Sequence, residues 1–176
     1  MTELTELKKN LIQFTYDRTE HEHDELSETW KLLDSKAQAS AGIAGVFVAA
    51  SFAFVRNTAL QIDVTEKWLL SLALIMLAAS IFSAVVAMLI RSVAMPLSGS
   101  DTAISVGDIL KQPESELAER QNNLIVDVVI QWANVNARIK ELLIKKGRRV
   151  EFSQASLVGA SVIITTMTLY AIYCAH

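Results

Sequence analysis

The run WLLSLALIMLAASIFSAVVAMLI, Trp68 to Ile90, holds 23 residues without one Asp, Glu, Lys, Arg or His, and its reading decides the fold. At about 1.5 Å rise per residue, a helix of this length crosses a hydrocarbon core of roughly 30 Å. Two further charge-free runs flank it, Ala37 to Val55 with 19 residues and Phe152 to Ala175 with 24. One such run also suits the buried helix of a large globular protein, but 176 residues leave too little polar chain to wrap three. The composition agrees: 52% hydrophobic with a mean hydropathy of +0.33 is too apolar for a disordered chain and unusually apolar for a soluble domain. A cleaved leader fits poorly, because the first apolar run begins only at residue 37, after a highly charged segment. The predicted fold class is therefore an all-α membrane protein with three transmembrane helices and long cytoplasmic helical stalks. Its divisions are an N-terminal cytoplasmic helix over 1–36, a transmembrane hairpin over 37–93 with spans at about 37–56 and 68–91, a cytoplasmic loop and amphipathic helix over 94–151, and a third transmembrane helix over 152–176.

Sidedness follows from the basic residues. Met1 to Lys36 has five Lys/Arg against nine Asp/Glu, the link Arg56 to Lys67 has two Lys/Arg, and Arg91 to Glu151 has nine. Lys/Arg excess in short loops orients a membrane protein, so 91–151 is expected on the cytoplasmic side. Three alternating spans then put the N-terminus inside and His176 on the periplasmic or extracellular side. Lys67, Trp68, Tyr170 and Tyr173 fall where an outer interface is expected, a favourable place for an apolar ring with a polar tip. With a formal net charge of -3, nucleic acid is not the expected partner.

Small residues recur along the first run. Ala37, Ala41, Gly45, Ala49 and Ala53 stand four apart on one face, with Gly42 and Ala50 beside them, and the second and third runs carry Ala79, Ser83 and Ala87, Ala155 with Gly159, and Ser156 with Ala160. Such faces let helix backbones approach closely. Ala41, Gly45, Ala49 and Ala53 are thus predicted helix-packing positions, within one chain or between copies of a homo-oligomer. No ionisable group lies inside a window and no proline breaks one, which argues against a proton relay or a transporter site built from broken helices. Thr165, Thr166 and Thr168 are the most polar mid-span cluster, and their hydroxyls can bond carbonyls of the preceding turn.

The hydrophilic parts also read as helices. Leu4, Leu7, Leu11 and Phe14 share one face, Leu26, Trp30, Leu33 and Ala37 continue a stripe into the first span, and Leu117, Leu124, Val128, Trp132, Val135, Ile139 and Leu142 form another. The expected partner of the second stripe is the N-terminal helix. Between Met95 and Pro113 the pattern is lost among Pro96, Gly99 and Gly107, and Pro113 followed by Glu114 and Glu116 marks a helix start. Gly147 either loosens the chain before the last span or merely costs the helix about 1 kcal/mol.

Chemistry is sparse. His21 and His23 flank Glu22, but at spacing two on a helix they point to different faces, so no metal site is expected. The single Cys174 excludes an intrachain disulfide and has no histidine–acid partner, and no glycine-rich phosphate signature is present. The chain reads as a non-enzyme without a cofactor. Lys145, Lys146, Arg148 and Arg149, just inside a span, read as a topology-setting group that attracts lipid headgroups. Asp34, between Trp30 and Lys36, reads in two ways: a solvated helix end, or an interfacial partner of a cation such as Arg91, Arg138 or Lys140.

These residues carry a resemblance. Trp30, then Leu33-Asp34 and Lys36-Ala37 running into the first span, a paired second span, a long helix with Trp132, Asn136 and Lys140, and a last span near the C-terminus are similar to the transmembrane effectors of bacterial cyclic-pyrimidine antiphage signalling, the Pycsar TM effectors. The resemblance implies an antiphage effector that oligomerises and breaches the inner membrane once a cyclic nucleotide such as cUMP or cCMP is sensed. It implies that Trp30, Asp34, Lys36 and Trp132 couple stalk to membrane. The chain departs from better-known members in lacking an appended domain large enough to be an obvious nucleotide sensor, so either the stalks and the 95–113 loop sense the ligand or a partner protein supplies the signal. Rival readings are a constitutive accessory membrane subunit and a small ion channel.

Overall fold

A computed structural model describes residues 2–57, 64–90 and 114–174, with side-chain surroundings for 6, 10–53, 64–90 and 123–170. Three helices are present: α1 (Thr2–Asn57), α2 (Val64–Leu89) and α3 (Glu114–Cys174). The start of α3 at Glu114 agrees with the acidic first turn read from the sequence. The expected loop over 95–113 and the link over 58–63 lie outside the described residues.

The boundaries drawn at residues 36 and 151 do not break the chain. α1 runs for 56 residues and α3 for 61, each passing from a charged to an apolar composition. Backbone hydrogen bonding is indifferent to that change, and Gly147 is absorbed into α3 with open space around it. The chain divides into two compact units, one of Met1–Trp30 with Ser92–Leu143 and one of Lys31–Arg91 with Ile144–His176.

The first unit pairs the start of α1 with the start of α3. Thr19 and Glu22 of α1 meet Asn136 and Lys140 of α3 respectively, so the two helices run parallel. The predicted α3 stripe does turn inward, with Ile139 and Leu143 buried and Leu124, Val128, Trp132, Val135 and Leu142 partly buried. The N-terminal stripe does not. Leu11 and Phe14 are 67% and 65% exposed, because Ile12, Tyr16, Thr19 and His23 occupy the face turned towards α3. Leu4, Leu7 and Leu117 lie outside the described side chains.

The second unit is a three-helix bundle. Ala37 clusters with Ala84, Ala87 and Val150, and Ala44 clusters with Leu77 and Ala160. Along these layers α1 and α3 advance together while α2 runs the opposite way. Large apolar side chains point outward instead: Ile43, Val46, Phe52, Leu72, Ile75, Phe82, Val158 and Val162 are all exposed. A water-soluble bundle has the reverse arrangement; close-packed small residues inside and large apolar ones outside suit a lipid solvent.

Among the described residues, two helices are long and apolar enough to cross a membrane, α2 and the stretch of α3 within Asn123–Tyr170. α2 starts at Val64, four residues before the predicted span, and Arg91 lies outside the described residues. The run from Ala37 in α1 is helical as well, and its side chains are described as far as Ala53.

Hydroxyls join α2 to α3. Ser80 Oγ donates to the Ser153 carbonyl at 2.8 Å, Ser153 Oγ donates to the Ser80 carbonyl at 2.9 Å, and Ser83 Oγ donates to the Arg149 carbonyl at 2.9 Å. Ser80 and Ser153 are fully buried, and a Cβ at Gly159 would collide with Met76 Cε, so the helices approach closely at this level. Thr166 and Thr168 bond the Val162 and Ile164 carbonyls within their own helix, as expected of hydroxyls in apolar surroundings.

Ser80→Ala and Ser153→Ala should each destabilise the bundle by about 0.5–2 kcal/mol. Each variant removes its own hydroxyl-to-carbonyl bond and only the 3.1 Å Oγ–Oγ contact is shared, so the double variant should lose nearly the sum of the single losses. Reversible unfolding in detergent micelles measures both; a double loss no larger than one single loss would show that the two bonds do not act separately.

Candidate functional site

In the first unit, a polar cluster is assembled from one turn of α1 and two of α3. Asn136 is 1% exposed and sits at its centre. Its Nδ2 donates to the Thr19 carbonyl at 3.0 Å and to Glu22 Oε2 at 3.4 Å. Both partners only accept, which leaves Oδ1 as the acceptor facing His23 Nδ1 at 3.1 Å. His23 therefore carries its proton on Nδ1. The imidazole also meets Trp132 edge to face, with ring centroids 4.8 Å apart and planes at 71°. Thr19 Oγ1 turns back to the Thr15 carbonyl at 2.7 Å, so its own carbonyl, not its hydroxyl, serves Asn136.

Lys140 closes the cluster by donating from Nζ to Glu22 Oε1. That hydrogen bond and the Lys140 charge hold the Glu22 carboxyl below the ordinary carboxylate range, with Asn136 and Arg18 adding to the effect and partial burial opposing it. His21 lies on another face, 3.3 Å from Glu25, as the two-residue spacing requires. Among the described residues no group of three or more His, Cys, Asp or Glu converges on one point.

In the second unit, Asp34 is paired. Its Oδ1 lies 2.7 Å from Lys146 Nζ, with the lysine side chain 0% and the aspartate side chain 34% exposed. Of the two readings of Asp34, the paired one describes the fold, but the cation is none of the three named from sequence: Lys140 is committed to Glu22, Arg138 belongs to the first unit, and Arg91 lies outside the described residues. Lys146 is accordingly removed from the basic run assigned to lipid headgroups. Helical rotation of about 100° per residue turns it inward, on the face of Leu143, Val150 and Ser153, while Lys145, Arg148 and Arg149 remain exposed.

The other predicted positions separate. Trp30 and Trp132 are partly buried in the first unit, whereas Lys36 is exposed in the second. The small-residue stripe splits, since a spacing of four drifts around a helix of 3.6 residues per turn. Ala37 is buried and Ala41 packs against its cluster, but Gly45, Ala49 and Ala53 face outward, and a Cβ at Gly45 would meet nothing within 4 Å. The inward face of α1 is Ala37, Ser40, Ala44 and Ser51. Glu22, His23 and Lys146 were not singled out for these roles, although Lys146 continues the α3 stripe of Ile139 and Leu143 by steps of four and three.

The family profile described as the Pycsar effector protein domain matches residues 18–173. No curated protein and no solved structure matches the chain.

Removing Asp34 leaves a buried ammonium, so Asp34→Ala should cost about 3 kcal/mol, while Asp34→Leu with Lys146→Met should recover most of that loss. Unfolding in micelles decides; an unrecovered double variant would mean that the pair is not the source of the cost. The depressed Glu22 titration makes its contribution present above the unfolded carboxylate value and lost as pH falls through the lower folded one. Thermal melts should accordingly lose stability below about pH 4, and Glu22→Gln should melt earlier at neutral pH and remove part of that acid dependence.

Proposed function

The chain belongs to the Pycsar effector protein domain family, and from that premise we propose that it is an antiphage effector that oligomerises and depolarises the bacterial inner membrane on a cyclic-nucleotide signal. Membership itself carries the effector role and the membrane setting. The family match over 18–173 is the observation that carries the proposal, because it includes both the polar cluster of the first unit and the lipid-suited bundle of the second.

The bundle supports three crossings. α1 and α3 run the same way and α2 the opposite way, so if α2 and α3 span, the run from Ala37, packed between their small faces, spans beside them. Its Ala and Ser side turns inward and Ile43, Val46 and Phe52 turn outward, the arrangement of a span in lipid. The N-terminus then lies in the cytoplasm with the first unit, and Cys174 ends on the far side.

No bond chemistry is assigned to any residue. The trigger acts on the packing of the first unit, where one buried amide ties a carbonyl, a carboxylate and an imidazole on α1 to α3. α1 and α3 each continue unbroken from residues of the first unit into residues of the bundle, so a change in their pairing has a continuous helical path to it. Trp132 and Trp30 act at the stalk, Asp34 and Lys36 at the membrane boundary. The outward Gly45, Ala49 and Ala53 supply close contact between copies of a homo-oligomer. A cyclic nucleotide such as cUMP or cCMP is the ligand, taken by this chain directly or through a partner protein.

The test expresses the full chain in bacteria with each of several cyclic nucleotides while membrane potential is recorded. One messenger should collapse the potential, and Gly45→Leu should reduce that collapse without reducing the amount of inserted protein. Constitutive collapse, or none with any messenger, would contradict direct ligand triggering; undiminished collapse in Gly45→Leu would remove the stripe from assembly.

A further inference from the structure

The second unit carries a layer of cations that have no ion-pair partner among the described residues. Its height is set by contacts already described: Asp34 meets Lys146, Ala37 packs with Val150, and Ser83 of α2 bonds the Arg149 carbonyl. Residues 31–36 of α1 and 145–149 of α3 therefore occupy one slab, about 8 Å thick at 1.5 Å per residue. Within it Lys31, Lys36, Arg148 and Arg149 are exposed and carry no ion pair among the described residues. Lys145 is exposed too but is engaged within the fold. The acids of the slab do little to neutralise the four: Asp34 is taken by Lys146, and Glu151 stands alone at its edge.

The slab adjoins the charge-free runs that begin at Ala37 and Phe152. A surface of this kind meets phosphate groups at the level where hydrocarbon gives way to headgroups, and two of its members are guanidinium forks suited to phosphate oxygens. Burial of Lys146 sharpens the effect, because it withdraws Asp34 from competition with the lipid.

We infer that Lys31, Lys36, Arg148 and Arg149 form a belt that binds anionic phospholipid headgroups and sets the depth of the bundle. The inference rests on the membrane reading above. The partner is the lipid phosphodiester, not a soluble anion: the four side chains stand on two helices of the bundle's outer surface, where several separate headgroups reach them.

The experiment uses the full chain, purified in zwitterionic detergent and offered equal amounts of phosphatidylcholine and phosphatidylglycerol, with retained lipid read by native mass spectrometry. The native chain should retain phosphatidylglycerol at least fivefold over phosphatidylcholine. Each charge near the surface is worth roughly a fivefold change in binding, so Lys31→Gln/Lys36→Gln/Arg148→Gln/Arg149→Gln should fall to near parity. Lys67→Gln, which removes a cation from the start of α2 at the other end of the bundle, should keep the preference. Should the fourfold variant fail to insert, Lys31→Gln/Lys36→Gln leaves the α3 arginines in place and must still lower the preference severalfold. Equal retention by the native chain, or an equal loss in Lys67→Gln, overturns the belt. Displacement of the lipid by millimolar inorganic phosphate or cyclic nucleotide overturns the lipid assignment in favour of a soluble anion site. A chain that enters vesicles without anionic preference refutes only the belt, whereas one that enters no vesicle refutes the membrane reading itself.

Discussion

Small side chains and hydroxyls predominate inside the three-helix bundle, around Leu77 and Val150, while many of its large apolar side chains face out, and this inversion is the constraint on which the rest depends. Ala37, Ala44, Ala84, Ala87 and Ala160 offer little apolar area to bury, so removal of these residues from water cannot by itself hold the helices together. Close backbone approach and hydrogen bonds between helices take over that work. Ser80 and Ser153 can exchange bonds because no bulky residue stands between α2 and α3 at that level. The same economy leaves Ile75, Phe82 and Val162 to a lipid solvent.

Charge is handled by the same logic. Lys146 is buried at the end of the apolar region, where an isolated ammonium would be costly, and Asp34 makes it tolerable. A buried pair of this sort contributes little net stability against an apolar substitute, yet it resists sliding of α1 along α3, since any shift by one residue would rotate one charge away from the other. Asn136 does the equivalent with neutral groups and the Glu22–Lys140 pair in the first unit. Both units thus add register-setting polar contacts between the same two helices to the apolar residues packed around them.

Much of this was legible in the sequence. Absence of charge located α2, and Pro113-Glu114 located the start of α3, because both signals concern local chain energetics. The continuity of α1 and α3 was hidden: a change from charged to apolar residues marks a change of solvent, not an end of hydrogen bonding. Lys145 to Arg149 form one basic run in the sequence, but helical rotation separates its members, and the steps Ile139, Leu143, Lys146 and Val150 put Lys146 on the inner face. The outward position of Gly45, Ala49 and Ala53 could not be read from spacing alone, since a four-residue stripe drifts and only the neighbouring helices decide which end of it is covered. The family resemblance drew attention to Trp132, Asn136 and Lys140, but the pairing of Asn136 with the Thr19 carbonyl needed the fold.

The central claim is that α1, α2 and α3 all cross the bilayer, which places Lys36 and Cys174 on opposite faces. Labelling of intact cells with a membrane-impermeant maleimide tests it most directly, using native Cys174 in one strain and Lys36→Cys with Cys174→Ser in another. The account predicts that Cys174 is labelled from outside and that Lys36→Cys is labelled only after the inner membrane is opened. Labelling of both positions from the same side would leave an even number of crossings and contradict it.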